Sequence, residues 1–242
     1  SEIPGTTRDS IDVRFEFEGK SLLAIDTAGI LKTRKQRTDL EFYSYNRSLG
    51  SVRRADVIAF LIDATIPVGE VEKKLGAYIV EEFKPCILVV NKWDLAKGKA
   101  DAEDYGTYLT KTLPHLAYAP IAFTTASEGR NVRAVIELAH SLFKQADARV
   151  TTGQLNRAVR GAIDAQQPFA DKHGAHPKIY YATQISVRPP TIVCFVNNPA
   201  LMREQYRRFV EKRLRDALPF QEVPLRLVWR ARSDPKRPRH PA

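Results

Sequence analysis

The chain has 242 residues, 43% of them apolar, and a formal net charge of +10. This length and apolar content are sufficient for a sizeable core in one or two domains. No apolar run approaches the ~20 residues that a membrane helix requires, and the first residues lack the pattern of a secretory leader. We therefore expect a cytoplasmic protein with no membrane partner. Cys86 and Cys194 each lie within an apolar run, which predicts buried free thiols rather than a disulfide or a metal pair.

The positive charge is confined to one part of the chain. Residues 1–150 contain 21 Lys and Arg against 21 Asp and Glu, whereas residues 151–242 contain 17 against 7. This asymmetry predicts two domains, with boundaries at 1–149 and 150–230 and a basic, disordered tail at 231–242. A nucleic-acid partner would explain the basic second part, and a solvated basic surface is the simpler alternative.

The first part alternates β-like runs with segments of helical periodicity, which predicts an α/β fold with a doubly wound, mostly parallel sheet. A short turn at Glu18 to Lys20 predicts an antiparallel hairpin as the exception. The last four of the predicted strands have the composition of fully buried strands. The predicted strands are Ile11–Phe17, Ser21–Asp26, Val57–Asp63, Cys86–Asn91 and Ile121–Thr125, and the predicted helices are about Asp39–Arg54, Glu70–Phe83, Asp101–Leu113 and Asn131–Ala148.

The second part has the order helix, two paired strands, helix and strand. These elements correspond to "TTGQLNRAVRGAIDAQQ", "PKIYYATQISVRPPTIVCFVNN", "LMREQYRRFVEKRLRDAL" and "VPLRLVWRAR". The order predicts a small α+β domain with helices on one face of its sheet. Tyr180 and Trp229 lie in apolar strand patterns, so we expect them in its core.

Three short motifs follow predicted strands: DTAG at 26–29, NKWD at 91–94 and TTAS at 124–127. Ligands bind beyond the carboxyl ends of the strands in such sheets. The ordered set resembles the guanine-nucleotide motifs of the P-loop GTPases. Asp94 can accept from both the ring N–H and the exocyclic amine of guanine, an edge that adenine does not present; capping of a following helix is its structural alternative.

The resemblance implies a role for each neighbour of Asp94. Asn91 would bond N7 and brace the loop, the stem of Lys92 would lie along the base, and the Ala126 N–H would donate to the guanine carbonyl. The complete set predicted to bind the base is Asn91, Lys92, Trp93, Asp94, Thr125, Ala126 and Ser127.

The phosphate side of the predicted site lies earlier in the chain. In "PGTTRD", Thr6 or Thr7 would place an oxygen near magnesium in a first switch, although Pro-Gly is also an ordinary turn. Asp26 would reach magnesium through water, and the Gly29 N–H would meet the γ-phosphate. The predicted phosphate-side set at the DTAG motif is Asp26, Thr27, Ala28, Gly29 and Ile30.

Gly19-Lys20-Ser21 does not form a phosphate-binding loop. That loop needs a glycine five residues earlier, where this chain has Arg14, and it precedes a helix rather than a strand. We therefore expect a truncated GTPase domain that lacks its first strand, P-loop and first helix. Ile30 takes the place of the glutamine that positions water in Ras-like enzymes, and it cannot form a hydrogen bond.

"PGTTRD", "DTAGI", "NKWD", "KIYYATQ", "PPT" and "YRRF" together resemble the EngA family, also called Der, over nearly the whole chain. The resemblance implies a second G domain followed by a KH-like domain, with a first G domain upstream. It also implies GTP and GDP as ligands, magnesium and a potassium ion as cofactors, and a switch function in assembly of the large ribosomal subunit.

A basic helix in the second part is the predicted contact to ribosomal RNA; DNA is not expected. Its cations could instead face the nucleotide domain or only water. No GxxG spacing follows residue 150, so RNA clamping by that loop is not expected. The second functional hypothesis is a non-hydrolysing RNA- or protein-binding module. The candidate RNA-contact residues are Arg203, Arg207, Arg208, Lys212, Arg213 and Arg215.

Overall fold

The structure is a computed structural model, and it describes residues 12–25, 48–96, 101–167 and 174–232. The first element is a hairpin of strands β1 (Asp12–Phe17) and β2 (Lys20–Ile25), paired antiparallel from Asp12 with Ile25 to Phe17 with Lys20. Glu18 and Gly19 form its two-residue turn, with φ of 50° and 74°. Two positive φ values are what a tight hairpin turn requires, and glycine supplies one without strain. The predicted hairpin is confirmed.

The next part is a parallel three-stranded sheet in the order β3-β4-β5. Helices connect and follow its strands, as the alternating pattern predicts. Its strands are β3 (Ile58–Asp63), β4 (Cys86–Asn91) and β5 (Ile121–Phe123), and its helices are α1 (48–54), α2 (Glu70–Glu81), α3 (Trp93–Ala96), α4 (Ala102–Thr112) and α5 (Val132–Asp147).

Strand β4 is buried on both faces. Leu88 and Val90 share one apolar cluster with α2 and α4, while Ile87 and Val89 share another with Leu142 of α5. The prediction that the last four strands are fully buried is wrong for β2 and β3. β3 is an edge strand of the described sheet, and its burial alternates so that Leu61 is 62% exposed.

The second part has the predicted order of elements, with α6 (Thr152–Ala165), β6 (Ile179–Ser186), β7 (Thr191–Val196), α7 (Glu204–Ala217) and β8 (Arg226–Ala231). Helix α6 begins with a capping box, in which Thr151 and Gln154 satisfy each other's backbone N–H groups. The sheet order is β6-β7-β8, with β6 and β7 antiparallel and β8 parallel to β7. Buried residues of both helices belong to one apolar cluster together with residues of β6 and β7.

The prediction that Tyr180 is a core residue is wrong, because its side chain is 40% exposed. A register shift between Ile179 and Tyr181 breaks the regular alternation of β6 at this position. Trp229 is partly buried against the core. Cys86 and Cys194 are buried free thiols, as predicted, and burial raises the pKa of both.

Helix α5 joins the two parts of the chain. The cluster that contains Leu142 and Ala146 of α5 continues into the core of the second part. Gln145 and Glu222 exchange two hydrogen bonds across the junction, at 2.8 and 3.0 Å. The described residues include no helix long and apolar enough to cross a membrane.

Candidate functional site

Two predicted motif residues lie at the carboxyl edge of the parallel sheet. Asn91 is the last residue of β4 and pairs in register with Asp63, the last residue of β3. Lys92, which follows, has a φ of 59°, a left-handed conformation that is uncommon for a lysine. The chain therefore turns sharply between Asn91 and helix α3.

Asn91 holds the NKWD loop against the TTAS loop. Its Oδ1 accepts from the Ala126 backbone N–H at 3.0 Å and from Thr124 Oγ1 at 3.2 Å. The Trp93 N–H also donates to the Thr124 carbonyl at 3.1 Å. The structure thus brings together NKWD and TTAS, which lie more than thirty residues apart in the chain.

Trp93 anchors this edge to the core. Its ring lies 4.4 Å from the ring of Phe123 and 5.5 Å from that of Tyr105, measured between centroids. Both partners pack partly buried against the cluster that contains Leu88 and Val90. The predicted site residue Trp93 therefore has its side chain in an aromatic cluster beneath the loop.

Asp94, unlike Trp93, is exposed to solvent. It lies in the first turn of α3, and its carboxylate makes no hydrogen bond or ion pair within the described ranges. The geometry of α3 thus gives no support to the alternative of helix capping. An exposed carboxylate beside a braced loop can accept two hydrogen bonds from a ligand.

Lys92 and Asp63 form an ion pair that the sequence reasoning missed. Lys92 Nζ lies 2.7 Å from Asp63 Oδ2, and Thr65 donates to Oδ1 through both its backbone N–H and its hydroxyl. Burial alone would raise the pKa of Asp63, but these hydrogen bonds outweigh burial and lower the pKa. The available signal was an acid at the end of "FLID", at the same edge as Asn91.

The TTAS loop is closed by a short turn. Thr125 and Arg130 form an isolated antiparallel bridge, and Gly129 between them has a φ of 70°. Ala126 and Ser127 are exposed at the tip, while Thr125 is buried. The Ala126 N–H, predicted to meet a guanine carbonyl, donates to Asn91 here, so a ligand carbonyl would have to share or replace that acceptor.

The phosphate-side candidates lie outside the described residues. They are Thr6, Thr7, Asp26, Thr27, Ala28, Gly29 and Ile30.

The cations of α7 have different environments. Arg207 donates to the carbonyls of Met202 and Pro199, at 2.7 and 2.9 Å, and Arg215 donates to Glu211 at 2.7 Å. Arg208 pairs with Glu204 on the surface at 3.0 Å. The candidates that are exposed and make no ion pair within the described ranges are Arg203, Lys212 and Arg213.

These observations define an α/β fold of the P-loop GTPase type followed by a small KH-like domain. The crystal structure of Era in complex with MgGDPNP and nucleotides 1506-1542 of 16S ribosomal RNA has this fold, with a TM-score of 0.50 and 21% identity. The similarity covers 97% of this chain and 84% of that one. At 21% identity, this comparison shows similarity of fold alone.

Sequence comparisons match each part of the chain to a family model. A model described as the KH-domain-like of EngA bacterial GTPase enzymes, C-terminal, matches residues 149–230, and one described as 50S ribosome-binding GTPase matches residues 1–92. Together with the relatives described next, these matches support assignment of the chain to the EngA/Der family.

Two relatives show how much of the family's length is represented. GTPase Der of Rhodopirellula baltica is 49% identical over 96% of this chain and 51% of its own length. GTPase Der of Rippkaea orientalis is 39% identical over 96% of this chain and 52% of its own length. The chain therefore spans about half the length of the relatives that it matches.

Proposed function

We propose that the full-length protein is a GTP-binding and GTP-hydrolysing switch that acts in assembly of the large ribosomal subunit. The observation that carries the nucleotide part is the hydrogen bond from the Ala126 N–H to Asn91 Oδ1, because it joins two motif loops at one sheet edge. In this proposal residues 1–149 form the nucleotide domain, 150–230 the KH-like domain and 231–242 a basic tail.

Guanine recognition depends on Asp94 in this proposal. Its exposed carboxylate, which has no partner among the residues that the structure describes, suits the two adjacent donors of guanine. Adenine does not present this pair of donors, and a site built to pair polar groups discriminates strongly against a ligand that lacks them. Asn91 and the Lys92–Asp63 pair hold the loop from which Asp94 projects.

The phosphate side is proposed from the sequence alone. Thr6 or Thr7 and Asp26 would hold magnesium, directly or through water, and Gly29 would donate its N–H to the γ-phosphate. When bound, magnesium neutralises charge that develops on the phosphate oxygens. Ile30 has no group that can orient water, so we propose that another group does so and that potassium takes part.

The ribosomal part is supported by charge and by family. The second part of the chain carries the whole net charge, and the first matches a family model described as 50S ribosome-binding GTPase. We propose that Arg203, at the N-cap of α7, and Lys212 and Arg213 of α7 meet RNA phosphates, because they are exposed and make no ion pair within the described part of the chain. A further G domain in the full-length protein would be the intramolecular partner.

The test measures the affinity of the full-length protein for GTP and for ATP, and its release of phosphate. GTP should bind on the order of 10⁴-fold more tightly than ATP, as expected for a site that pairs polar groups with the base. Phosphate release should require magnesium and be faster in potassium than in sodium chloride. GTP binding without phosphate release under any of these conditions would instead support a non-hydrolysing module, and equal affinity for ATP would contradict guanine recognition.

A further inference from the structure

A cleft of about 670 Å³ lies between helices α6 and α7 of the KH-like domain. On α6 it is lined from Gln154 to Ala162, and the last turn of α7 lines the other side. At a rise of about 1.5 Å per residue, the α6 side alone extends roughly 12 Å. We call it the α6/α7 cleft.

Three guanidinium groups, those of Arg149, Arg157 and Arg213, line the α6/α7 cleft. All three residues are exposed, and none forms an ion pair within the described ranges. Among the described lining residues, Asp216 supplies the one carboxylate. The excess of positive charge in a concave surface strengthens the local positive potential and favours a polyanion.

Part of the α6 side of the cleft is lined by residues with little or no side chain. Ala158, Gly161 and Ala162 occupy the α6 side. A Cβ added at Gly161 would meet no heavy atom within 4 Å among the described residues beyond its own stretch of helix, so this position of the lining is open. Glycine costs about 1 kcal/mol relative to alanine inside a helix, so helix stability does not account for its presence.

We propose that the α6/α7 cleft binds successive backbone phosphates of RNA. The length of the α6/α7 cleft favours a chain of phosphodiesters over one isolated phosphate. Guanidinium groups suit phosphate because their N–H donors have a fixed, forked geometry. The proposal rests on the proposed RNA partner and not on GTP binding. It extends the contact surface beyond α7 to Arg149 and Arg157, which the motif-based prediction did not include.

The first experiment measures affinity of the full-length protein for fluorescently labelled oligouridine across a potassium chloride series. Replacing Arg149, Arg157 and Arg213 by glutamine should weaken binding about tenfold or more and make the log-log salt slope less negative by about 2, since each single-strand phosphate contributes about 0.7. A matched variant with glutamine at Lys74, Lys111 and Lys144 loses the same charge from exposed helix positions elsewhere. It should retain most of the affinity and the parent slope.

The second experiment blocks the cleft without changing charge. Gly161→Leu should weaken oligouridine binding several-fold, while Gly153→Leu, at the start of the same helix and outside the cleft, should not. Asp216→Asn should tighten binding, because it removes the carboxylate from the lining. Thermal unfolding of each variant verifies that it is folded.

The outcomes separate the two proposals. If the parent binds oligouridine but the arginine triple variant behaves like the lysine triple variant, or Gly161→Leu binds like the parent, the cleft proposal fails alone. If the parent binds neither oligouridine nor ribosomal RNA, the RNA partner and the cleft fail together. Displacement of oligouridine by inorganic phosphate beyond the effect of chloride at equal ionic strength would overturn the assignment in favour of a small-anion site.

Discussion

The guanidinium of Arg215 lies over the ring of Tyr118, with 4.4 Å between Cζ and the ring centroid. The Arg215 side chain is only 13% exposed and also donates to Glu211 and to the Val223 carbonyl. Tyr118 belongs to the segment that leads into β5, after which come Thr125 and Ala126. Helix α7 of the KH-like domain therefore contacts the chain segment that leads to the TTAS loop.

The ring of Tyr118 should matter to stability and its hydroxyl should not. The hydroxyl is buried without a hydrogen-bond partner in the described part of the chain, and burial raises its pKa. Tyr118→Phe keeps the ring and should leave the free energy of unfolding unchanged or raise it by up to about 1 kcal/mol. Tyr118→Leu loses the cation–π contact and should lower it by about 1–2 kcal/mol.

A double-mutant cycle in urea measures this contact. Arg215→Met combined with Tyr118→Leu should show a coupling energy of about 0.5–2 kcal/mol. The control is Arg208→Met, which removes an exposed arginine of the same helix and should show no coupling to Tyr118. Additive effects at Arg215 and Tyr118 would contradict a direct energetic contact.

The ion pair of Asp63 with Lys92 predicts a dependence on pH. The pKa of Asp63 is lowered from 3.8, so its contribution to stability is present above that value and is lost as the pH falls through the lowered pKa. Lys92→Met removes a hydrogen bond that opposes burial and should raise this pKa. NMR titration of the carboxyl carbon measures it, and Lys74→Met on α2 is the control. An Asp63 pKa that is the same in parent and Lys92→Met would exclude this role for Lys92.

Asn91 should protect one particular amide. Because Asn91 Oδ1 accepts from the Ala126 N–H, Asn91→Ala should speed hydrogen exchange of that amide, by about tenfold if the bond contributes about 1.4 kcal/mol. Thr124→Val removes the second donor to the same oxygen and should leave the Ala126 N–H protected. Unchanged exchange in Asn91→Ala would show that the two loops are not held together by this bond.

The order of elements and the motif positions could be predicted because they depend on local patterns. Strand β4 is an uninterrupted apolar run, and NKWD follows it directly, so Asn91 falls at the sheet edge. The hairpin could be predicted in the same way, because its turn depends only on the local conformations of Glu18 and Gly19. These features can be predicted without knowing the tertiary contacts of the side chains.

The remaining features depend on tertiary partners. The helical pattern of α7 places Arg213 and Arg215 two residues apart, but only the fold shows that Arg215 is enclosed by Tyr118, Glu211 and Val223 while Arg213 faces the α6/α7 cleft. The apolar composition of β3 likewise predicted full burial, whereas its position at the edge of the described sheet leaves Leu61 exposed. Composition indicates which side chains can be buried but not which neighbours will cover them.

The proposal that Asp94 reads the guanine edge is tested most directly by exchanging the base. In Asp94→Asn of the full-length protein, the new amide can donate to the 2-carbonyl of xanthine, whereas it no longer accepts the paired donors of guanine. Competition titration should therefore show one site per chain that binds GTP more weakly and xanthosine triphosphate more strongly than in the parent, with its order of preference reversed, while the proposed further G domain keeps its preference for GTP. Equal affinity of Asp94→Asn and parent for GTP at every site, in a protein that remains folded, would contradict the account.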